Sequence, residues 1–342
     1  MKPQQSLADF AKSDDLAAVN RRLQAQLIRA RAKTEDLVAA VKQAGFDAML
    51  SLGPVTPVEK PTYTRSNKHV EVALWHMTDW QGSKLTPSYN TQVMKERVLR
   101  FTRKSGHISN IQRNDHPVKD VVIAFGGDMV EGLFNFPTQA FEVDQTIFGQ
   151  YKTVSRLIID VVREALLQYE HVHVVPEWGN HGRIGSKRDN VPRSDNIDRM
   201  CYELAKEILE HIEPKRVSWQ DCPEDIQRLE VGEYRALVIH GDEAGRNGFV
   251  ADTQMVTHTN KWKAGSYPWD FRDVYIGHYH QHKELPMANG VGALYWSGST
   301  ESDNRYASVG MAASSIPSQR LHFIDPVRGR VSAQYKIYLD AD

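Results

Sequence analysis

Five short apolar runs in this chain each end in polar residues, with glycine beside most of these ends. The runs cover residues 70–78, 121–125, 171–176, 236–240 and 274–276, and they are rich in β-branched residues. The polar residues at or just beyond their ends are Asp79 and Gln81, Asp128 and Glu131, Asn180 and His181, His240 and Asp242, and His278 and His280. In open α/β sheets, ligands bind where the carboxyl ends of the strands meet. We therefore expect a fold that gathers these side chains along one edge.

The runs alternate with segments of helical periodicity, which fixes the fold class. Residues 141–169 and 194–212 carry apolar side chains at helical spacing and predict amphipathic helices. Strands that alternate with helices indicate an α/β layer architecture, with β-sheets flanked by helices. Residues 293–297, 320–324 and 331–339 predict strands without intervening helices, and the turn "DPVRGR" predicts a hairpin. Antiparallel strands should therefore close the α/β core.

Three segments that differ in composition and in apolar pattern predict the domain organisation. Residues 1–50 place Leu and Val at helical spacing among polar residues, which predicts a helical N-terminal extension. Residues 51–69 contain three prolines and few apolar residues, which is typical of a linker. Residues 70–342 would form the main domain. The extension would pack on that domain, dock a partner, or form a homodimer, and the sequence leaves these alternatives open.

The charge and the cysteine content of the chain limit the cellular compartments and the classes of partner that fit it. The chain has 42 basic and 43 acidic residues, so its net charge of −1 gives no global support for a polyanion partner, although a local basic patch remains compatible. Its two cysteines, Cys201 and Cys222, have no metal-binding spacing and form no disulfide framework. The polar N-terminal segment is unlike a signal peptide, and no apolar run reaches the roughly 20 residues of a membrane span. We expect a soluble, cytoplasmic protein without a membrane partner.

The residue types at the strand ends point to a metal centre. A lone Asp after a strand is usually a cap or turn residue, but five such ends together are not explained in this way. Asp, Asn and neutral His are oxygen and nitrogen donors suited to Mn, Fe or Zn. No cysteine lies among them, which argues against a structural zinc site. His278 and His280 alternate along an extended chain, so both would face one side and reach two adjacent ions.

In their order, the five clusters resemble the motifs of the calcineurin-like metallophosphoesterase superfamily. Its pattern is D-x-H, G-D-x-x-D/E, G-N-H, H and G-H-x-H, and the resemblance covers roughly residues 70–300. It implies a hydrolase with two divalent metal ions, for which we expect manganese, with Mg, Zn, Fe or Ni as alternatives. It also implies a ligand set of Asp79, Gln81 and His280 at the first ion, Asn180, His240 and His278 at the second, and Asp128 between them.

The resemblance implies that His181 is the catalytic residue, a general acid that protonates the leaving oxygen after a metal-activated hydroxide attacks the phosphate. Two departures from the pattern concern this chemistry. Gln81 stands where the family has a histidine, and a neutral amide oxygen is a weaker ligand for zinc than imidazole. Gly182 stands where an acidic residue often orients the catalytic histidine. Glu131, Glu177 or Asp242 could orient His181 in its place.

The end of the pattern favours one class of phosphate ester. Residues 276–307 are similar to the DNA-repair exonuclease branch of the superfamily, whereas "GDMVEGL" and "GNHGR" depart from the phosphoprotein-phosphatase signature. Two basic segments, residues 94–119 and 183–193, flank the predicted centre, and within the second we predict Arg183, Lys187 and Arg188 as substrate-binding residues. Trp80 and Trp178 would stack a base or pack beneath the site.

We therefore predict a two-metal phosphodiesterase that acts on DNA as a nuclease. The alternatives are a small-molecule phosphoesterase, such as a nucleotide or cyclic nucleotide phosphodiesterase, a phosphoprotein phosphatase, or a non-catalytic scaffold.

Overall fold

The structure is a computed structural model that describes residues 69–135, 139–185, 192–242, 252–288, 290–303 and 316–340, together with scattered positions between 21 and 61. The chain divides into two compact units, Met1–Leu52 and Gly53–Asp342. In the first unit, the described positions between 21 and 49 are helical. Dimerisation through these helices stays a prediction. No described helix has the length and apolar character needed to cross a bilayer.

The second unit contains two β-sheets. The first sheet is built from β1 (Glu71–Met77), β2 (Val118–Gly126), β3 (His171–Glu177), β4 (Val217–Trp219), β10 (Ser318–Asp325) and β11 (Arg330–Tyr338), in the order β11-β10-β1-β2-β3-β4. The second is built from β5 (Gln227–Val231), β6 (Tyr234–Ile239), β7 (Asp273–Ile276), β8 (Lys283–Pro286) and β9 (Ala293–Trp296), in the order β5-β6-β7-β9-β8. Strands β1 to β4 are parallel, as are β6, β7 and β9, while β10 and β11 extend the first sheet antiparallel. The predicted α/β fold class is confirmed.

In the described part of the second unit, four helices flank the sheets. They are α1 (Thr91–Gln112), α2 (Ile147–Leu166), α3 (Ile197–Ile212) and α4 (Asp252–Lys261), with a short 3-10 turn at Gln139–Phe141 and a π-turn at Trp262–Ser266. Helices α2 and α3 agree with the predicted segments. Asn90, Thr146 and Asn196 cap α1, α2 and α3 by accepting a hydrogen bond from a main-chain N–H of the first turn.

The two sheets pack face to face around a shared core. Leu74 and Val122 of the first sheet belong to one buried cluster with Ala236 and Tyr275 of the second. Alternate residues of β1 point the other way, so Trp75 meets Phe101 of α1 edge to face. On the outside of the second sheet, Met255 of α4 belongs to a second apolar cluster. Both faces of the parallel strands are therefore covered, which explains why they read as continuous apolar runs.

Helix α1 was not predicted, because residues 94–119 were interpreted as a basic segment. Its buried face begins with Met94, Val98 and Phe101 but continues with small residues, Thr102, Ser105, Gly106 and Ser109. A Cβ on Gly106 would lie 1.7 Å from Gln168 Oε1, so the helix approaches the loop after α2 closely. Small residues at this close contact interrupt the apolar periodicity by which an amphipathic helix is recognised.

Part of the predicted linker lies against the main domain. The main-chain N–H of Val58 donates to Glu213 Oε1 at 2.8 Å, and its carbonyl accepts from Arg216 Nη1 at 2.8 Å. Lys60 forms an ion pair with Glu170 at 2.7 Å. These contacts attach residues 58–60 to the segments that follow α2 and α3.

Candidate metal centre

The carboxyl ends of five strands from both sheets meet at one site. Strands β1, β2 and β3 of the first sheet lead into Asp79, Asp128 and Asn180, and β6 and β7 of the second lead into His240 and His278. All five side chains point into the same buried space, in which Asp79 and His240 are fully buried. This convergence follows from the parallel arrangement of the strands within each sheet.

The carboxylate of Asp128 lies at the middle of the site. Its Oδ2 atom is 3.1 Å from His240 Nε2 and 3.3 Å from Gln81 Nε2. Asp128, His240 and His278 each offer a ligand atom within 4.8 Å of the other two. Donor atoms about 3 Å apart can share one ion, because zinc or manganese binds each at about 2.1 Å. Asp128 is placed where a carboxylate can bridge two ions.

The remaining side chains divide into two groups, one on each side of Asp128. In the first group, His280 Nε2 is 3.4 Å from Asp79 Oδ1 and 3.2 Å from Gln81 Nε2. In the second, His240 Nε2 is 3.1 Å from Asn180 Oδ1 and 3.2 Å from His278 Nδ1. The structure thus brings together all seven residues predicted as ligands, in the two sets that the resemblance implied.

The backbone at these residues is unusual. Seven non-glycine residues in the described ranges have positive φ, and five of them are Asp79, Gln81, Asp128, His278 and His280, with φ between 46° and 64°. This left-handed conformation costs roughly 1–3 kcal/mol for a residue with a side chain, and it is typical of functional sites. The backbone conformation that directs these side chains to one point therefore lowers the stability of the fold.

A main-chain contact fixes the orientation of one ligand. His240 Nδ1 lies 2.8 Å from the carbonyl oxygen of Gly126, so Nδ1 carries the proton and donates. Its Nε2 is the ring atom that faces Asp128 Oδ2 and Asn180 Oδ1, and it is the atom that would bind an ion. A second hydrogen bond that fixes the tautomer in this way is a regular feature of metal-binding histidines.

The electrostatic potential of the site favours cations. Burial lowers the pKa of His280, but the carboxylates of Asp79 and Glu301 outweigh burial and raise it to about 10. Burial and the neighbouring His240 lower the pKa of His278 to about 4. Neutral His278 is therefore ready to act as a ligand, while the carboxylates attract positive charge to the rest of the site.

Gln81 fits the role of a weak ligand. Its side-chain oxygen Oε1 is buried without a hydrogen-bond partner, while Nε2 faces Asp128 and His280. Exchanging the two amide atoms leaves the side-chain shape unchanged and would aim Oε1 at the space between those ligands. A buried carbonyl oxygen without a donor suits a cation, so the residues present fit the group that the motifs imply.

We expect Gln81→His to tighten binding of the first ion. Imidazole is a better ligand than an amide for Zn and Mn, so one of two Mn²⁺ binding steps should strengthen by about tenfold or more. Isothermal titration of the metal-free protein with Mn²⁺ measures both steps. Unchanged affinities would show that residue 81 does not contact an ion.

Glu301 is a residue of the site that the motifs did not reveal. It follows β9, its side chain is 2% exposed, and its Oε2 is 3.2 Å from His280 Nδ1. The carboxylate therefore holds His280 with Nε2 facing Asp79 and Gln81. The sequence contained only the weak signal of an acidic cluster after "SGST".

Glu301→Gln should weaken the first ion selectively. Carboxylates that orient ligand histidines typically contribute 10–100-fold in metal affinity, so about that loss is expected in one Mn²⁺ binding step while the other is retained. Isothermal titration gives both binding constants. The matched control is Glu284→Gln, because Glu284 is an exposed residue of β8 at the edge of the second sheet. Equal weakening of both steps would contradict the orienting role.

His181 lies beside the ligands rather than among them. Its main-chain N–H donates to Asp128 Oδ1 at 2.8 Å, and its Nε2 is 3.8 Å from Asp128 Oδ2. Its Nδ1 is 3.2 Å from Glu131 Oε2. Burial lowers the pKa of His181, but the charges of Asp128 and Glu131 outweigh burial and raise it to about 9. The two carboxylates therefore favour the protonated form of the ring.

Of the three carboxylates considered for orienting His181, the structure places Glu131 against it. Glu177 instead accepts from the Trp178 N–H and from Gln227, and Asp242 forms ion pairs with Arg183 and Arg193. An acidic side chain at position 182 would not fit, because a Cβ there would lie 2.3 Å from Asn196 Oδ1.

The neighbouring Asp198 supports the site from below. Its two oxygens accept from the main-chain N–H groups of Val130 at 3.0 Å and Gly179 at 2.9 Å. It thus ties together the loops that carry Asp128 and Asn180.

The predicted substrate-binding residues are only partly accounted for. Arg183 pairs with Asp242, which leaves 16% of its side chain exposed, and Lys187 and Arg188 lie outside the described residues. In the first basic segment, Arg97 and Arg100 donate to the carbonyls of Thr300 and Leu339. These arginines hold the fold together. Trp80 and Trp178 are buried at 0% and 2% exposure, so they pack beneath the site rather than stack a base.

No protein-family model and no curated protein matches the sequence. Among solved structures, zinc-bound Vps29 from Entamoeba histolytica shares 10% identity over 78% of this chain and 99% of that chain, with a TM-score of 0.34. The phosphoesterase YfcE from E. coli shares 16% identity over 78% and 99%, with a TM-score of 0.34. A 5′-nucleotidase from Candida albicans shares 10% identity over 84% and 54%, with a TM-score of 0.36. These distant similarities do not assign the chain to a family.

Proposed function

We propose that the chain is a calcineurin-like metallophosphoesterase that hydrolyses phosphodiesters with two divalent ions, and that DNA is its substrate. One observation carries the proposal: the Asp128 carboxylate stands between two groups of ligand atoms, with His181 beside it. Two ions held by these residues would supply a nucleophile at neutral pH and would polarise the phosphate.

The chain's own residues provide the proton and its placement. Glu131 holds Nδ1 of His181, so Nε2 faces the ligand cluster at 3.8 Å from Asp128 Oδ2. A phosphate bound at the cluster would bring its leaving oxygen close to this nitrogen. His181 can then donate a proton to that oxygen as the bond to phosphorus breaks.

A small phosphodiester, such as a cyclic nucleotide, is the second candidate substrate. The observation that favours it is the pairing of Arg183 with Asp242 and of Arg193 with Asp225 and Asp242. Arginines already neutralised by carboxylates contribute less to binding a polyanion than free ones. DNA remains the first candidate because of the sequence resemblance to the exonuclease branch.

A comparison of substrates tests the proposal. Mn²⁺-dependent cleavage is measured side by side on labelled single- and double-stranded DNA, cyclic nucleotides and bis-p-nitrophenyl phosphate, with His181→Ala as the inactive control. Cleavage of DNA that is lost in the variant supports the nuclease. Cleavage of the small diesters alone supports the second candidate. Binding of two ions without any cleavage would overturn the enzymatic proposal and favour a scaffold.

A further inference from the structure

Lys84 is a buried cation beside the metal centre that belongs to none of the motifs. It follows Gln81 by three residues, and only 11% of its side chain is exposed. Its Nζ lies 3.1 Å from Glu131 Oε1 and 2.8 Å from Glu142 Oε2. A buried ammonium needs such partners, because removing it from water is costly.

The main chain of Lys84 is fixed as firmly as its side chain. Its N–H donates to the carbonyl of Gln81 at 2.8 Å, and its backbone forms an antiparallel bridge with Val143. The ammonium therefore has a defined position relative to the metal ligands, and its position does not depend on a flexible surface side chain.

Glu131 connects this ammonium to His181. One carboxylate oxygen, Oε1, faces Lys84, and the other, Oε2, is 3.2 Å from His181 Nδ1. The Gln139 amide also approaches Oε1, at 3.4 Å. A carboxylate bound at both oxygens cannot rotate without losing a partner, so the position of Lys84 determines which way Glu131 presents its second oxygen.

We infer that Lys84 is a positioning residue for proton transfer by His181, acting through Glu131. The inference rests on the proposed function, since it takes His181 as the proton donor. His181 Nε2 gives its proton to the leaving oxygen, which keeps the electron pair of the broken P–O bond. The neutral ring retains its Nδ1 proton against Glu131. His181 Nδ1 also lies 3.1 Å from the main-chain carbonyl oxygen of Glu131, so without Lys84 the ring would keep that contact but lose the fixed position of the carboxylate.

Leaving groups of different basicity separate this role from a merely structural one. An alkoxide leaving group requires a proton, whereas p-nitrophenolate hardly does. We expect Lys84→Met to lower kcat on the wild type's best alkyl diester, DNA or cyclic nucleotide, by about tenfold or more beyond its effect on bis-p-nitrophenyl phosphate. KM and Mn²⁺ stoichiometry should be unchanged.

Two further variants complete the experiment. Lys84→Arg keeps the charge and should restore most of the alkyl-diester activity. Glu142→Gln removes the other carboxylate partner of Lys84, and the side chain of Glu142 is 48% exposed. This variant should change kcat on the two substrate classes equally. Thermal unfolding of each variant shows whether the fold is retained.

A measurement without turnover distinguishes failure of this inference from failure of the proposed function. In ¹⁵N-histidine spectra of the Mg²⁺-loaded protein, the Nδ1–H signal of His181 should move in Lys84→Met and return towards its position in Lys84→Arg. If the wild type cleaves no diester, the proposed function fails, and the spectra alone decide whether Lys84 orients the ring. Equal loss on both substrate classes, or an unmoved His181 signal, would overturn the inference.

Discussion

Asp128→Asn is expected to abolish the binding of both ions. The Asp128 carboxylate approaches a side chain of each ligand group, His240 on one side and Gln81 on the other. Asparagine keeps the shape and one oxygen but loses the negative charge that two cations share. Substitution of a residue that merely orients a ligand costs about 10–100-fold in affinity. Loss of the shared ligand itself should therefore exceed about 100-fold at both sites.

Isothermal titration with Mn²⁺ measures this loss of affinity directly, and thermal unfolding in the presence of Mn²⁺ is an independent measurement of it. A ligand at 100 times its Kd stabilises the folded state by about 2.7 kcal/mol, so Mn²⁺ should raise the Tm of the wild type and leave that of Asp128→Asn unchanged. The matched control is Asp120→Asn, near the start of the strand β2 that leads into Asp128, where the carboxylate contacts His171. Retention of one tight site in Asp128→Asn would show that Asp128 does not bridge.

The ligand set was predictable because its positions follow from local sequence. Strands buried on both faces leave continuous apolar runs, and the residue after each run must lie at the carboxyl edge of its sheet. Asp79, Asn180 and His278 are positioned in this way, and their convergence depends on the strands being parallel within each sheet and on the two sheets packing face to face. Short motifs at such ends contain most of the information needed to place a metal.

The residues around the ligands were not predictable in the same way. Lys84 and Glu301 lie in irregular segments. Their roles depend on loops that are far apart in sequence but meet in the fold. Glu301 reaches His280 because Thr300 N–H bonds to the Asp79 carbonyl at 3.2 Å, a contact that no periodicity records. Likewise, Arg97 belongs to the first basic segment, and the structure shows that it donates to the carbonyl of Thr300. The sequence alone does not show whether a basic side chain on a helix binds a substrate phosphate or a main-chain carbonyl.

His181→Asn is expected to leave metal binding intact while removing most of the activity. The His181 ring lies beside the ligands, with Nε2 3.8 Å from Asp128 Oδ2, so both Mn²⁺ binding steps should persist. General acid catalysis contributes about 10²–10⁴-fold, and we expect kcat on an alkyl diester to fall by about that factor. The decrease on bis-p-nitrophenyl phosphate should be smaller, because its leaving group needs little protonation.

The two variants together separate binding from chemistry. Asp128→Asn should lose ions and activity, whereas His181→Asn should lose activity alone, and His107→Gln on the exposed face of α1 should lose neither. Hydrolysis of both substrates and Mn²⁺ titration are measured for all three. If His181→Asn also released an ion, the imidazole would be a ligand rather than a proton donor. Equal loss on both substrates with ions retained would instead indicate that the ring stabilises charge on the phosphate without protonating the leaving oxygen.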